Sequence, residues 1–252
     1  QVYNIDPSTY TARPGDPLNL DDLRKELDED GDEQDDRLLT TISLPGGYSA
    51  LGIDTYFERN VDWVIATGAK IDTETGKASD AKLFIIGFDA YDITQSQMIA
   101  SLALDAEYAK GLVADNNLVT VAMAESGIGL VDILHPRKMY LAKARSLPQH
   151  KKSLDIQRLA GFEAATYAVV AGDYNFSIPR LQNEDDPTSG GFYIYQNATT
   201  GFSLKGSLNI PASSVAIHNQ YAYLAAGDLG VVVVDISDIE DPVEVNRIAG
   251  DG

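Results

Sequence analysis

The sequence predicts an all-β fold, and three observations support that class. Short apolar or alternating runs recur about every ten residues from Leu38 onward, for example Leu118 to Met123 and Tyr221 to Ala225. Gly, Asn, Asp and Pro separate these runs, which is typical of strands joined by turns. No segment of convincing length after residue 38 has the period of a helix. A meander of antiparallel strands is therefore expected.

The apolar runs belong to an internal repeat of four segments. Each segment has a glycine, four mostly β-favouring residues and then a polar residue: Gly87 to Asp92, Gly127 to Asp132, Gly191 to Gln196 and Gly230 to Asp235. The glycines are 40, 64 and 39 residues apart, and the polar stretch 173–190 lengthens the middle interval. A period of about 40 to 50 residues is typical of a propeller blade. The repeat predicts a β-propeller of about four recognisable four-stranded blades, either closed or part of a larger ring.

The glycine and the polar residue that the segments share have a structural interpretation within the repeat. Glycine permits a sharp entry into the third strand of each blade. The polar residue at the strand end can accept hydrogen bonds from turn amides. Structural roles are therefore predicted for seven residues: Gly87, Asp92, Gly127, Asp132, Gly191, Gly230 and Asp235.

The fullest unit, Val215 to Pro242, contains Gly-Val-Val-Val-Val-Asp followed by Ile-Ser-Asp. This pattern resembles the LVIVD-repeat family of bacterial and archaeal cell-surface β-propellers. The similarity is also good from Gly87 to Thr94 and weaker around Gly191, and it spans roughly residues 48 to 252. The resemblance implies a propeller located outside the cell or at its surface. Because the family has no general assigned activity, it implies no particular chemistry.

The first 37 residues differ in composition and pattern from the rest of the chain. Prolines interrupt the start, Leu20 to Leu27 has the spacing of a short amphipathic helix, and an acidic run follows it. We interpret residues 1–37 as an acidic linker or the tail of a preceding domain, and residues 38–252 as propeller repeats. The strand-like run Leu38 to Leu44 resembles the outermost strand of a blade. A start without methionine suggests a mature chain or part of a longer one.

Charge and composition exclude several classes of partner. The chain has 19 Lys and Arg against 38 Asp and Glu, a net charge of -19, which disfavours nucleic acid. No stretch approaches the ~18 consecutive apolar residues of a membrane-spanning helix, so no membrane insertion is expected. There is no cysteine, which excludes disulfides and thiolate chemistry.

No catalytic motif is recognisable, and no catalytic residue is assigned. The three histidines lie in different units, and no serine lies in a Gly-x-Ser-x-Gly elbow. The acidic run Glu26 to Gln34 resembles a calcium loop, but Arg37 stands where a bidentate glutamate would be required. An acidic linker is favoured there, no other cofactor is expected, and calcium is left open. Trp63 is interpreted as a packing residue, with a sugar-stacking platform as the alternative.

Two insertions, Ala69 to Asp80 and Asp173 to Gly190, are the strongest departures from the repeat. Both fall between the second and third strands of a blade, and such connections project on one face of a propeller. The alternatives are tolerated surface insertions or a shared binding surface, since loops on rigid scaffolds often carry recognition. The binding hypothesis names six residues: Asp72, Glu74, Tyr174, Asn175, Arg180 and Asp185.

The sequence thus favours a non-enzymatic cell-surface or secreted propeller module that binds a protein or a glycan within a larger chain. Two alternatives stay open at this point. One is a propeller hydrolase or lyase with acidic residues at the central channel. The other is an architectural spacer.

Overall fold

The computed structural model of the chain describes residues 2–3, 38–58, 61–88, 95–162, 164–176, 180–182 and 189–249. Contacts divide the chain into two units, one of residues 1–43 with 88–97 and one of residues 44–87 with 98–252. The predicted amphipathic helix and the acidic run lie outside the described residues.

The first unit contains one pair of short strands, β1 (Val2–Tyr3) and β2 (Leu38–Thr40), which are antiparallel. The predicted outermost blade strand over Leu38 to Leu44 is therefore shorter than expected. Within the described residues it pairs with β1 and not with any strand of a blade.

The second unit contains four antiparallel sheets of four strands each, which we call blades A to D. Blades A and B take their strands in sequence order: β3 (Ser49–Glu58), β4 (Val61–Ile71), β5 (Ala78–Phe88) and β6 (Gln97–Ala103), then β7 (Leu112–Asp115), β8 (Leu118–Met123), β9 (Gly127–Asp132) and β10 (Tyr140–Arg145).

Blades C and D continue the same meander, with one two-stranded hairpin inserted in blade C. Blade C and its hairpin contain β11 (Ser153–Leu159), β12 (Thr166–Ala171), β13 (Asp173–Asn175), β14 (Arg180–Gln182), β15 (Gly191–Ala198) and β16 (Gly201–Leu208). Blade D contains β17 (Ser214–His218), β18 (Tyr221–Ala225), β19 (Val231–Asp235) and β20 (Val243–Ile248). The described residues form no α-helix. The predicted all-β propeller of four four-stranded blades is confirmed.

The two faces of a blade pack against different neighbours. In β12, Tyr167 and Val169 belong to a buried cluster with residues of blade B, whereas Ala168 and Val170 belong to a cluster with residues of blade D. Because successive side chains point to opposite faces of a strand, both faces are buried and the strand is apolar throughout. Each fully buried aliphatic side chain stabilises the fold by about 1.5 to 3 kcal/mol.

One face of blade D packs against blade C, and the other face is only partly covered, since Val233 is buried on it. Val232 and Val234 of β19 are buried against blade C, whereas Val231 is 38% exposed. The apolar residues of β20 are also exposed, with Val243 at 49% and Ile248 at 56%. The inner strands β3, β7, β11 and β17 contact one another in that order, and β17 and β3 have no interface of comparable extent.

Carboxylates on the inner strands tie neighbouring blades together. Asp54 of β3 accepts a hydrogen bond from the backbone N–H of Ala114 at 2.8 Å. Asp155 of β11 accepts one from the N–H of Val215 at 3.0 Å. Both bonds join an inner strand to a neighbouring blade, so these two acids stabilise blade interfaces.

Three of the four repeat glycines lie at the start of the third strand of a blade. Gly127 and Gly191 begin β9 and β15, and Gly230 immediately precedes β19. Gly127 has a φ of 80°, and a Cβ there would lie 2.2 Å from the carbonyl oxygen of Arg145. Only glycine fits such a site without strain.

The predicted register of the first repeat is wrong at Gly87. It is the next-to-last residue of β5, which begins at Ala78, so it does not lead into a third strand. The strand lies upstream because its buried run is Leu83 to Ile86, and burial on both faces determines where a strand forms. Asp92 lies outside the described residues.

The predicted turn role of the strand-end aspartates is confirmed at two positions. Asp132 accepts a hydrogen bond from the N–H of Leu134 at 2.9 Å. Asp235 accepts one from the N–H of Ser237 at 2.8 Å. In both cases the carboxylate closes the turn between the third and fourth strands.

Candidate functional site

The first insertion is a continuation of β4 and β5 into a hairpin whose turn covers residues 72–77. Asp72 closes this turn, since its Oδ1 accepts hydrogen bonds from the N–H groups of Glu74 at 3.0 Å and Thr75 at 2.8 Å. These hydrogen bonds, those from Thr75 foremost, hold the pKa of Asp72 below its ordinary value. Asp72 is thus committed to the turn, while the side chains of Glu74 and Lys77 are exposed.

The second insertion contains the hairpin of β13 and β14. Tyr174 pairs with Leu181, and Asn175 pairs with Arg180 across the two strands. For Asn175 and Arg180 the structure describes this backbone pairing alone, and Asp185 lies outside the described residues.

Both hairpins contribute to one hydrophobic cluster, which we call the hairpin cluster. Blade A supplies Ala69, Ile71 and Ala78, and the blade C insertion supplies Tyr174, Phe176 and Leu181. The remaining members come from strand ends and connections of blades A, B and C: Leu51, Tyr108, Ala124 and Leu154.

The two insertions therefore lie on the same face of the propeller, as their positions between second and third strands predict. We call this surface the hairpin face. The assignment of a ligand to it stays a prediction, because the described geometry shows placement and not binding.

Three aromatic rings form the centre of the hairpin cluster. Phe176 contacts Tyr108 edge to face, with ring centroids 5.0 Å apart, and contacts Tyr174 in the same way at 5.1 Å. Edge-to-face pairs contribute about 0.5 to 1.5 kcal/mol beyond the area that they bury. The hairpin of blade C is thus held in one orientation by a ring from the connection between blades A and B.

Lys110 links the aromatic rings to blade D. Its ammonium nitrogen lies 5.5 Å from the centroid of the Tyr174 ring and donates a hydrogen bond to the carbonyl oxygen of Ser213 at 3.0 Å. Lys110 precedes the inner strand of blade B and Ser213 precedes that of blade D. The side chain therefore spans between two non-adjacent blades at the hairpin face.

Tyr108 carries a buried polar atom without a partner. The residue is 3% exposed, and its hydroxyl makes no hydrogen bond among the described residues. Burial raises the pKa of the Tyr108 hydroxyl well above its usual range, and the nearby carboxylates of Glu107, Asp173 and Glu125 add to that effect. The hydroxyl is therefore a neutral group in an acidic surrounding.

Two carboxylates frame the same region. Glu125 accepts a hydrogen bond from the N–H of Glu107 at 2.9 Å through Oε1, while its Oε2 is buried without a partner among the described residues. Glu107 forms an ion pair with Lys152 at 2.7 Å. The hairpin face thus combines aromatic rings, acidic groups and two lysines.

The two insertions are recognisable from the sequence, but the residues against which they pack are not. Tyr108 and Lys110 lie in a connection between blades, within Ala-Glu-Tyr-Ala-Lys-Gly, where nothing in the repeat distinguishes them. The signal that could have found them is the apolar content of the second insertion. Phe176 and Leu181 in a short hairpin require an apolar partner from elsewhere in the chain.

The described residues contain no group of three or more His, Asp or Glu side chains placed to hold a metal ion. Among the residues that the structure describes, no helix is long and apolar enough to cross a membrane.

Four four-stranded meanders pack side by side, and strands between them are buried on both faces. This arrangement defines the class of the molecule as a β-propeller. Within it, residues 211–249, which include all of blade D, match the sequence profile of the LVIVD repeat. The chain therefore contains an LVIVD repeat, which confirms the suspected resemblance over that stretch. No curated protein has a significant match to the chain.

Proposed function

We propose that this propeller is a binding module whose hairpin face contacts a protein or a glycan, within a larger chain at the cell surface or outside the cell. The observation that supports the proposal is the convergence of two insertions, from blades A and C, on one hydrophobic cluster. Insertions that merely avoid disturbing the fold have no need to share a core. The cell-surface part of the proposal is supported by the resemblance to the LVIVD-repeat family.

The hairpin cluster gives the proposed face a fixed geometry before any partner binds. Tyr174 packs on Phe176 and Phe176 packs on Tyr108, so the blade C hairpin is ordered by aromatic contacts in the free protein. A surface that is ordered in advance loses less conformational entropy on binding, which increases affinity. The expected contact groups are the exposed residues around the cluster, namely Glu74, Lys77 and Asp173.

The inner-strand acids support a binding role over a hydrolase or lyase at the channel. Asp54 and Asp155 both accept hydrogen bonds from backbone amides of the neighbouring blade. A carboxylate that already caps a backbone amide is held in an interface and is poorly placed to exchange protons with a substrate. The geometry therefore favours structural roles for these two acids.

The proposal is tested by deleting the blade C hairpin. Residues 173–190 are replaced by Asn-Gly, which suits a tight turn between antiparallel strands. Binding of wild type and variant is then compared on a defined glycan array and a defined panel of displayed proteins. We expect wild type to bind a ligand that the variant does not bind, while circular dichroism shows the β spectrum retained.

A matched control changes a turn at the opposite end of blade C. The double variant T199N/T200G alters the two-residue connection between β15 and β16, where both residues are exposed. It should bind as wild type does. If the hairpin deletion and this control have the same binding profile as wild type, the hairpin face is not the binding surface.

A further inference from the structure

A cavity of about 400 Å³ lies between blades A and B, away from the hairpin face, and is lined by Trp63, Ile99, His135, Pro136, Arg137 and Lys138. Trp63 lies near the start of β4, whereas Ile71, which belongs to the hairpin cluster, ends that strand. At about 3.3 Å per residue, eight residues separate the two by roughly 26 Å. The cavity is therefore a separate site, and an inference about it does not depend on the proposed function.

The apolar part of the cavity is a half-buried tryptophan beside Ile99 and Pro136. Gly87 contributes to this arrangement because a Cβ there would lie 3.2 Å from Ile99 and 3.8 Å from the Trp63 ring. Any larger residue would push into the packing of Ile99 beside the indole. The wall thus offers a flat aromatic surface, and the volume falls in the range of small-ligand sites, about 300 to 1,000 Å³.

The polar part of the cavity is basic, which is unusual in this chain. Residues 133–154 contain six of the 19 Lys and Arg and no Asp or Glu, although the net charge of the whole chain is -19. Among the described residues no carboxylate forms an ion pair with Arg137 or Lys138, and both side chains are exposed. At physiological ionic strength charges are screened beyond about 8 Å. A ligand in the cavity lies against Arg137 and Lys138, whereas Asp132, the acid that precedes this connection, is engaged with the N–H of Leu134 at 2.9 Å.

We propose that this cavity binds an acidic saccharide, with a sugar ring stacked on Trp63 and its carboxylate held by Arg137 and Lys138. The apolar face of a pyranose matches the part of the indole that lines the cavity, and an arginine fork matches a carboxylate in geometry. His135 lies on the same wall and supplies a further polar contact. A neutral sugar would leave the two cations without a partner, so the site discriminates by charge.

The experiment uses the fact that Trp63 is the only tryptophan of the chain. Tryptophan fluorescence of the full chain is followed during titration with trigalacturonate, and isothermal titration calorimetry detects any binding that leaves the fluorescence unchanged. Maltotriose serves as the neutral probe of equal length. We expect saturable binding of trigalacturonate, weakened by added salt, and no binding of maltotriose.

The double variant R137Q/K138Q should raise the dissociation constant for trigalacturonate by at least about tenfold, because charge-assisted hydrogen bonds are lost. The matched control Arg247→Gln removes an exposed cation on β20 of blade D, which does not line the cavity, and should leave the dissociation constant unchanged. Circular dichroism confirms that both variants are folded. Three results would each overturn the proposal: no binding by either method, equal binding of maltotriose, or unchanged affinity of R137Q/K138Q.

Discussion

Tyr108 shows how a single residue can serve a face at some cost to the fold. Its ring contacts Phe176, whereas its buried hydroxyl has no hydrogen-bond partner among the described residues. An unsatisfied buried polar group costs about 1 to 3 kcal/mol. A phenylalanine would keep the ring contacts without that cost.

Tyr108→Phe should therefore raise the free energy of unfolding by about 1 kcal/mol. Chemical denaturation measures this change. Tyr56→Phe is the matched control, because the Tyr56 hydroxyl donates to Asn117 at 2.7 Å and its loss should lower stability by about 1 kcal/mol. Equal destabilisation by the two substitutions would contradict this account of Tyr108.

Asp235 illustrates the opposite case, a carboxylate that serves only the fold. The hydrogen bonds from Ser237, the backbone one first, hold its pKa below the ordinary value. A carboxyl whose pKa is lowered by folding stabilises the folded state above the unfolded pKa, about 3.9. That contribution is lost as the pH falls through the folded pKa.

Asp235→Ala should accordingly lower the melting temperature at pH 7, and the difference from wild type should shrink as the pH falls below about 4. Differential scanning calorimetry from pH 7 to pH 2.5 follows both proteins. Asp241→Ala removes an exposed carboxylate from the same connection, one that accepts no hydrogen bond among the described residues, and should have little effect. A constant difference for Asp235→Ala across this range would contradict the turn role.

At the scale of the strand, the repeat predicts the places of residues well where the backbone requires a particular residue type. Gly127 was identifiable because its left-handed φ excludes other residues, and Asp132 because its carboxylate closes the next turn. Gly87 misled the register because it lies at the end of β5 and not at the start of a third strand. Blade assignment from spacing alone therefore errs where an insertion lengthens the strands, as it does between β4 and β5.

The candidate site was predictable only in its placement. The two insertions could be located from sequence, because each interrupts a repeat at the same point. Their shared core could not, since Tyr108 is distant in sequence from both Ile71 and Phe176 and reaches them only through blade packing. The cavity beside Trp63 was missed for the same reason, as it combines residues of two blades.

Two glycines test the steric part of the repeat. Gly127 and Gly161 both have left-handed φ values, 80° and 89°, but only Gly127 is crowded by neighbouring atoms. Gly161→Ala should cost about 1 to 2 kcal/mol for the backbone conformation alone. Gly127→Ala should cost about 3 to 5 kcal/mol, because its Cβ would also overlap the backbone near Arg145. Urea unfolding compares them, and equal costs would show that crowding at Gly127 is unimportant.

At the scale of the whole propeller, the two proposed sites lie at different ends of the blades. Connections between second and third strands carry the hairpin face, and the connection between β9 and β10 carries the basic cavity. Much of the surface of the blade faces is occupied by packing, although Ile53 of blade A and Val231 and Ile248 of blade D are exposed. The central claim is that the hairpins of blades A and C project at the same end.

Distances between pairs of spin labels test this claim most directly, because the chain has no cysteine of its own. Cysteines introduced at the exposed positions Glu74 and Asp173 label the two hairpins, and the pair at Glu74 and Thr199 labels opposite ends. The eight-residue strand β15 separates the two ends of blade C by about 26 Å. We predict that the distance from Glu74 to Asp173 is clearly shorter than that from Glu74 to Thr199. A longer distance to Asp173 would place the hairpins at opposite ends and contradict the hairpin face.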